Sequence, residues 1–94
     1  MKFIKLVRSE NPEKKYDVYL QDGDKERKVS FGARGMSDFT KHRDEARKQL
    51  YINRHRATEN WNDPLTAGFW AKNILWNKPT IAESLRDTKR RFNL

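Results

Sequence analysis

Ninety-four residues, 35% of them apolar and 36% charged, leave room for one modest hydrophobic core and exclude a two-domain chain. The absence of cysteine excludes a disulfide framework and a thiolate zinc site, so packing must hold the fold together. A net charge of +8 attracts polyanions, of which nucleic acid is the commonest.

The three Trp, three Tyr and five Phe supply the large buried areas that a disordered chain lacks, so the chain is expected to fold. Met1-Lys2-Phe3-Ile4-Lys5 contains no apolar run of signal-peptide length. No window approaches the roughly 18 to 20 apolar residues of a membrane span. The expectation is a soluble intracellular protein without a membrane partner.

Two apolar-alternating runs open the chain, Phe3 to Val7 and Tyr16 to Leu20, separated by Glu10-Asn11-Pro12; both read as strands. Asp22-Gly23-Asp24 is a hairpin signal, because Asp-Gly takes the positive φ of tight turns, and Arg27 to Phe31 returns as a third strand. Gly32-Ala33-Arg34-Gly35 then breaks the strand pattern, and Ser37-Asp38 can cap a helix. The spacing of Ala46, Leu50, Ala57 and Trp61 predicts a first helix from about Lys41 to Thr58. Asn62-Asp63-Pro64 is a helix start, followed by a helix whose apolar residues Leu65, Phe69, Trp70, Ile74, Leu75 and Trp76 place it centrally. Thr80 and Glu83 have the spacing of a capping box for a last helix, with Ile81, Leu85 and Phe92 as its buried stripe.

The sequence therefore predicts a single α+β domain over residues 1–94, an N-terminal three-stranded antiparallel sheet followed by three α-helices. Phe31, Leu50, Trp61, Phe69, Trp70, Ile74, Leu85 and Phe92 form its expected core.

Residues 32–56 carry +4 and residues 78–94 carry +3, whereas the stretch between them is nearly neutral. On the first helix Arg47, Tyr51 and Arg54 share one side at three- to four-residue spacing. Arginine forks suit bidentate phosphate contact, and Tyr51 would stack on or hydrogen-bond the same strand. The alternative is an ordinary solvated helix face with i,i+4 pairing to Asp44 and Glu45. The glycine junction is either a tight turn or a backbone anion cradle beside Arg34. The candidate nucleic-acid-binding residues are Arg34, Lys41, Arg43, Arg47, Tyr51, Arg54, Arg56, Lys89 and Arg90. Lys14 and Lys15 are left out, because Glu13 and Asp17 cancel them locally.

No catalytic or metal site is assigned and no cofactor is expected. Asp38, His42, Asp44, His55 and Glu59 are the one set resembling acid-base or metal ligands, and a metal-dependent nuclease is the lesser alternative. The thirteen-position separation of the two histidines corresponds to about 20 Å along one helix, too far for joint coordination. Ser37, Thr40 and Ser84 have no recognisable activating base.

Phe31-Gly32-Ala33-Arg34-Gly35, Ser37-Asp38-Phe39-Thr40-Lys41-His42, Arg54-His55 with Glu59 and Trp61, Thr66-Ala67-Gly68-Phe69-Trp70, Leu75-Trp76-Asn77-Lys78-Pro79-Thr80, Asp87-Thr88 and Arg91-Phe92 carry a resemblance. From Phe31 onward the chain resembles a family of small basic proteins without assigned activity from large double-stranded DNA viruses of algae and protists. Glu45-Ala46 departs from it, standing where the family has a Pro-containing helix start. The resemblance implies a viral origin in the host cytoplasm or nucleus and two binding roles. One is a non-catalytic protein on the genome, DNA ahead of RNA. The other is a small virion component that docks capsid or other viral proteins, for which Trp61, Trp70 or Trp76 would supply an apolar patch.

Overall fold

The computed structural model describes all of residues 1–94. Strands β1 (Lys2–Arg8), β2 (Lys14–Asp22) and β3 (Lys25–Ala33) form an antiparallel sheet in the order β1-β2-β3. Between β1 and β2, Asn11 accepts the Lys14 N–H at 3.1 Å, and its side chain accepts the Glu13 N–H. Pro12 stands second in that turn, where a fixed φ is an asset. The β2–β3 hairpin pairs Asp22 with Lys25 around Gly23-Asp24. Gly23 takes φ +61° there, which glycine reaches without a Cβ clash. The register skips between Phe3 and Lys5, and the displaced Ile4 is exposed.

Alternation places Val18, Leu20, Val29 and Phe31 on one sheet face, where they are buried against Phe69, Trp70, Ile74 and Leu75. Each such side chain contributes roughly 1.5 to 3 kcal/mol on leaving water. Phe3, Leu6, Tyr16, Leu65, Leu85 and Phe92 pack around the margin of this cluster.

Four helices follow the sheet, not three: α1 (Phe39–His42), α2 (Glu45–His55), α3 (Ala67–Trp70) and α4 (Ile81–Phe92). The expected first helix is broken in two. Arg43 adopts a left-handed φ of +53° and returns its N–H to Phe39, and Asp44 starts α2 by accepting the N–H groups of Ala46 and Arg47. The side of α2 that faces the core is not the Ala46–Leu50 stripe. Lys48, Tyr51, Ile52 and His55 face inward, whereas Arg47, Leu50 and Arg54 face solvent. Leu50, an expected core residue, is 58% exposed, and Tyr51 is buried in its place.

The central helix also starts later than Asp63-Pro64. Asp63 forms a turn by accepting the Leu65 N–H, and Thr66 is the cap, accepting from Phe69. After Trp70 the chain runs on as a π-helical turn, Ala71–Leu75. The Asn73 side-chain amide donates to the Phe69 carbonyl at 2.9 Å. The wider π turn stacks residues five apart, which aligns Phe69 with Ile74 and Trp70 with Leu75, all four of them buried.

Thr80 caps α4 through the Glu83 N–H. The most buried residues of α4 are Ser84 and Thr88, not its apolar stripe. The Ser84 hydroxyl accepts the Lys78 N–H, and the Thr88 hydroxyl donates to the Asn73 and Ser84 carbonyls. Ile81, Leu85 and Phe92 are half-buried, as is Trp61.

Asp87 anchors the same contact. The Asn77 side-chain N–H donates to it at 2.9 Å, and Arg90 and Arg91 lie at 3.0 and 2.9 Å. The Asn77 hydrogen bond, assisted by the two arginines, holds the Asp87 carboxyl down to about 2. A depressed folded pKa stabilises the fold at neutral pH, and that contribution is lost as pH falls through the folded value. Thermal stability is therefore expected to fall between about pH 4 and pH 2, and Asp87→Asn should flatten that part of the curve. Parallel thermal unfolding series over this range check it; identical acid slopes for the two proteins would contradict it.

Candidate anion-binding site

The glycine junction is a turn. The Met36 N–H donates to the Ala33 carbonyl at 3.2 Å with Gly35 third in the turn at φ +92°, the position where a type II turn needs glycine. The Arg34 N–H donates to the Glu13 carbonyl. With the Arg34 and Met36 amides both engaged, the junction is not the backbone anion cradle that its glycines allowed. Gly32 serves close packing instead. It sits at φ +80°, and a Cβ there would meet Leu75 Cδ1 at 2.9 Å and Lys15 Cβ at 3.1 Å.

That approach seats Lys15 in the fold. Its ammonium lies 2.5 Å from Asp38 Oδ2, with the two side chains only 9% and 2% exposed. Asp38 Oδ1 accepts the Thr40 N–H and hydroxyl, so one carboxylate caps α1 and neutralises Lys15 together. The Arg34 guanidinium reaches over to the carbonyls of Lys14 (3.1 Å) and Ser9 (2.9 Å), which pins the β1–β2 loop but leaves its charge uncancelled.

Arg8, Lys15, Arg34 and Lys41 thereby surround a cleft of about 80 Å³, with Asp38 as the one carboxylate in its wall. Neither Arg8 nor Lys41 is ion-paired. The volume exceeds what one or two waters occupy. Arg8, Arg34 and Lys41, gathered beside the neutralised Lys15–Asp38 pair, make the cleft the candidate site for a compact anion.

On its other side the Lys15–Asp38 pair borders a second concavity, a groove of about 350 Å³ between the junction, α2 and α3. Met36, Ala71, Leu75 and Trp76 supply apolar wall, and Arg54, His55 and Glu59 supply polar groups. Tyr51 stacks on Trp76 (4.5 Å, 5°) and on His55 (4.1 Å, 26°). Burial, with Glu59 adding to it, pushes the Tyr51 phenol upward from its ordinary pKa, so it stays neutral.

Of the residues expected at a nucleic-acid surface, Arg34 and Lys41 converge on the cleft and Arg54 lines the groove. Tyr51, 8% exposed, is held within the stack and is not an outward platform beside Arg47. Arg47 and Arg56 are exposed but line neither concavity, and the Arg43 guanidinium donates to the Pro79 carbonyl. Lys89 lies over the Phe3 ring, and Arg90 is paired with Asp87 beside a separate concavity on α4. Sequence reasoning missed Arg8 and Lys15. The local cancellation assigned to Lys14 and Lys15 is not what forms: Lys15 pairs with Asp38, 23 residues away, and Lys14 lines the groove. Only the cross-strand pairing of Arg8 with Tyr16 could have pointed to Arg8.

The nuclease reading finds no metal centre. No three of Asp38, His42, Asp44, His55 and Glu59 form a metal-binding cluster. His42 Nδ1 accepts the Asp44 N–H, and its Nε2 is buried, with the ring packed against Phe39 and Trp76. Glu59 accepts the Trp61 indole N–H at 2.9 Å. The tryptophans do not form an outward patch either. Trp70 is fully buried, Trp76 is stacked on Tyr51, and Trp61 is covered by Lys72. No helix is long and apolar enough to cross a membrane.

No curated protein and no solved structure matches this chain. Residues 4–55 match the family of unknown function DUF5754, a span that takes in β1 from Ile4, all of β2 and β3, the junction, α1 and α2, and so carries Arg8, Lys15, Arg34, Asp38 and Lys41. With more than half of its length matched, from Ile4 to His55, the chain belongs to that family of unknown function.

Proposed function

We propose that this is a non-catalytic nucleic-acid-binding protein that holds a backbone phosphate in the cleft of Arg8, Lys15, Arg34 and Lys41. One observation carries the reading: β1, the glycine junction and α1 bring Arg8, Arg34 and Lys41 around one small cavity whose only carboxylate is already paired with Lys15 of β2. A solvated basic surface has no need to converge in this way. The net charge of +8 supplies the long-range attraction, and Arg47, Arg54 and Arg56 extend the positive surface along α2. A viral setting, with the genome as the polyanion, belongs to the same proposal.

Arg8→Ala combined with Lys41→Ala tests it, because both side chains are exposed and neither is ion-paired. Each hydrogen bond to a charged group contributes roughly 1.5 to 3 kcal/mol. Losing the pair should weaken binding by at least about tenfold at low salt. It should also lower the log-log salt slope by about 0.7 per lost contact on a single strand, or about 0.9 on a duplex. Fluorescence anisotropy titrations with DNA and RNA at several salt concentrations measure both. Lys78→Ala with Arg86→Ala, on the separate α4 concavity, is the control. Equal losses from the two double variants would reduce the effect to net charge and overturn the site.

A further inference from the structure

We infer that the groove beside the cleft takes an unpaired, amino-bearing nucleobase, so that cleft and groove together hold one nucleotide of a single strand. The inference rests on the phosphate reading above. The two concavities share Lys15 and Asp38 in their walls, so a phosphate in one is adjacent to whatever fills the other. A base joined to that phosphate is the group its covalent chain would deliver there. In a duplex the bases are stacked inside and the phosphates lie outside; only an unpaired base can turn into a recess beside its own phosphate.

The groove has the character of a base pocket. Its volume of about 350 Å³ lies within the range of small-molecule sites, which join apolar walls to a few fixed polar groups. Met36, 65% exposed, presents a polarizable thioether to a ring face. The polar side carries donors in Lys14 and Arg54 and, on His55 and Glu59, acceptors. His55 Nδ1 lies 2.9 Å from the Tyr51 carbonyl, which can only accept; the hydrogen is therefore on Nδ1, and in the neutral ring Nε2 is the acceptor. Glu59 adds a carboxylate of which one oxygen receives the Trp61 N–H. The other oxygen keeps its acceptor capacity. Gly68 makes room for this carboxylate, since a Cβ there would lie 2.7 Å from Glu59 Oε2. These two acceptors match the exocyclic amino group of cytosine or adenine, which thymine and uracil lack.

The test uses the full chain and four labelled probes of equal length: oligo-dC, oligo-dT, an abasic single strand and a mixed duplex. Base stacking contributes about 1 to 3 kcal/mol per base on protein aromatic platforms. On a mixed apolar wall we expect at least about fivefold tighter binding of oligo-dC than of the abasic strand, with oligo-dT between them and the duplex no better than the abasic strand. Ala67→Phe, at an exposed position in the groove wall, should bring oligo-dC down to the abasic value and leave the abasic affinity unchanged. Glu59→Gln should narrow the gap between oligo-dC and oligo-dT. Equal binding of oligo-dC, the abasic strand and the duplex, with Arg8→Ala/Lys41→Ala still weakening all three, would overturn the base pocket and leave the phosphate site standing. Loss of the Arg8/Lys41 effect as well, or displacement of every probe by poly-glutamate at equal charge, would overturn both.

Discussion

Asp38→Ala is expected to destabilise the protein by about 3 to 5 kcal/mol, the usual consequence of breaking a buried pair and leaving its partner charged. Asp38 is 2% exposed and does two things at once. It neutralises the Lys15 ammonium at 2.5 Å and caps α1 through the Thr40 N–H. Removing it strands a charge whose stem lies against Gly32, and against a total stability of about 5 to 15 kcal/mol for a domain this size the loss is severe. Lys15→Met combined with Asp38→Ala should recover most of it, because no uncompensated charge remains and an apolar stem of similar length fills the space. What stays lost is the cap, about 1 kcal/mol. Urea midpoints for the two variants measure the difference. A double variant no more stable than Asp38→Ala would show that the charge pair is not the source. A second readout ties the pair to the cleft: inorganic phosphate should raise the melting temperature of Asp38→Ala by more than that of the parent, since it offers Lys15 a replacement anion.

Trp70→Ala is the other large loss, about 3 to 5 kcal/mol for an emptied aromatic site. Trp70 is fully buried. Its ring meets Phe31 at 6.4 Å and Phe69 at 5.1 Å, and its indole N–H donates to the Pro64 carbonyl at 2.6 Å. It thus joins the sheet, α3 and the loop before it. Trp70→Phe keeps most of the apolar area and gives up the hydrogen bond, so it should cost far less than the alanine change. Trp61→Ala, at a half-buried site with one hydrogen bond to Glu59, should also cost less. Chemical denaturation of the three variants, with near-ultraviolet circular dichroism as a check on native packing, ranks them. Trp61→Ala matching Trp70→Ala would place the structural centre elsewhere.

The site was only partly legible before folding. Arg34 and Lys41 were chosen for their charge and their position beside the junction, and they do meet at the cleft. Arg47, Arg54 and Tyr51 were grouped by helical spacing, and all three do lie on α2. Spacing alone does not say which side of a helix meets the core, and Tyr51 turned into the aromatic stack. Arg8 and Lys15 could not be chosen by local charge counting, because their neighbours in sequence are not their neighbours in space. The His42–Asp44 contact was equally hidden: a histidine before a helix cap looks the same whether it faces solvent or accepts a backbone N–H.

By itself the sequence determined the three strands, the Asp22-Gly23 hairpin, the capping residues Thr80 and Asp38, and the burial of Phe31, Phe69, Trp70 and Ile74. These follow from period-two alternation, turn chemistry and side-chain hydrophobicity, energies that act between residues a few positions apart. The tertiary structure alone decided that the helices number four, that a π turn aligns Phe69 with Ile74, that polar Ser84 and Thr88 seat α4, and that Lys15 joins Asp38 between cleft and groove. Those outcomes depend on which surfaces meet across the sheet. An ion pair 23 residues apart is stable only where the fold has already excluded the water that would otherwise screen it.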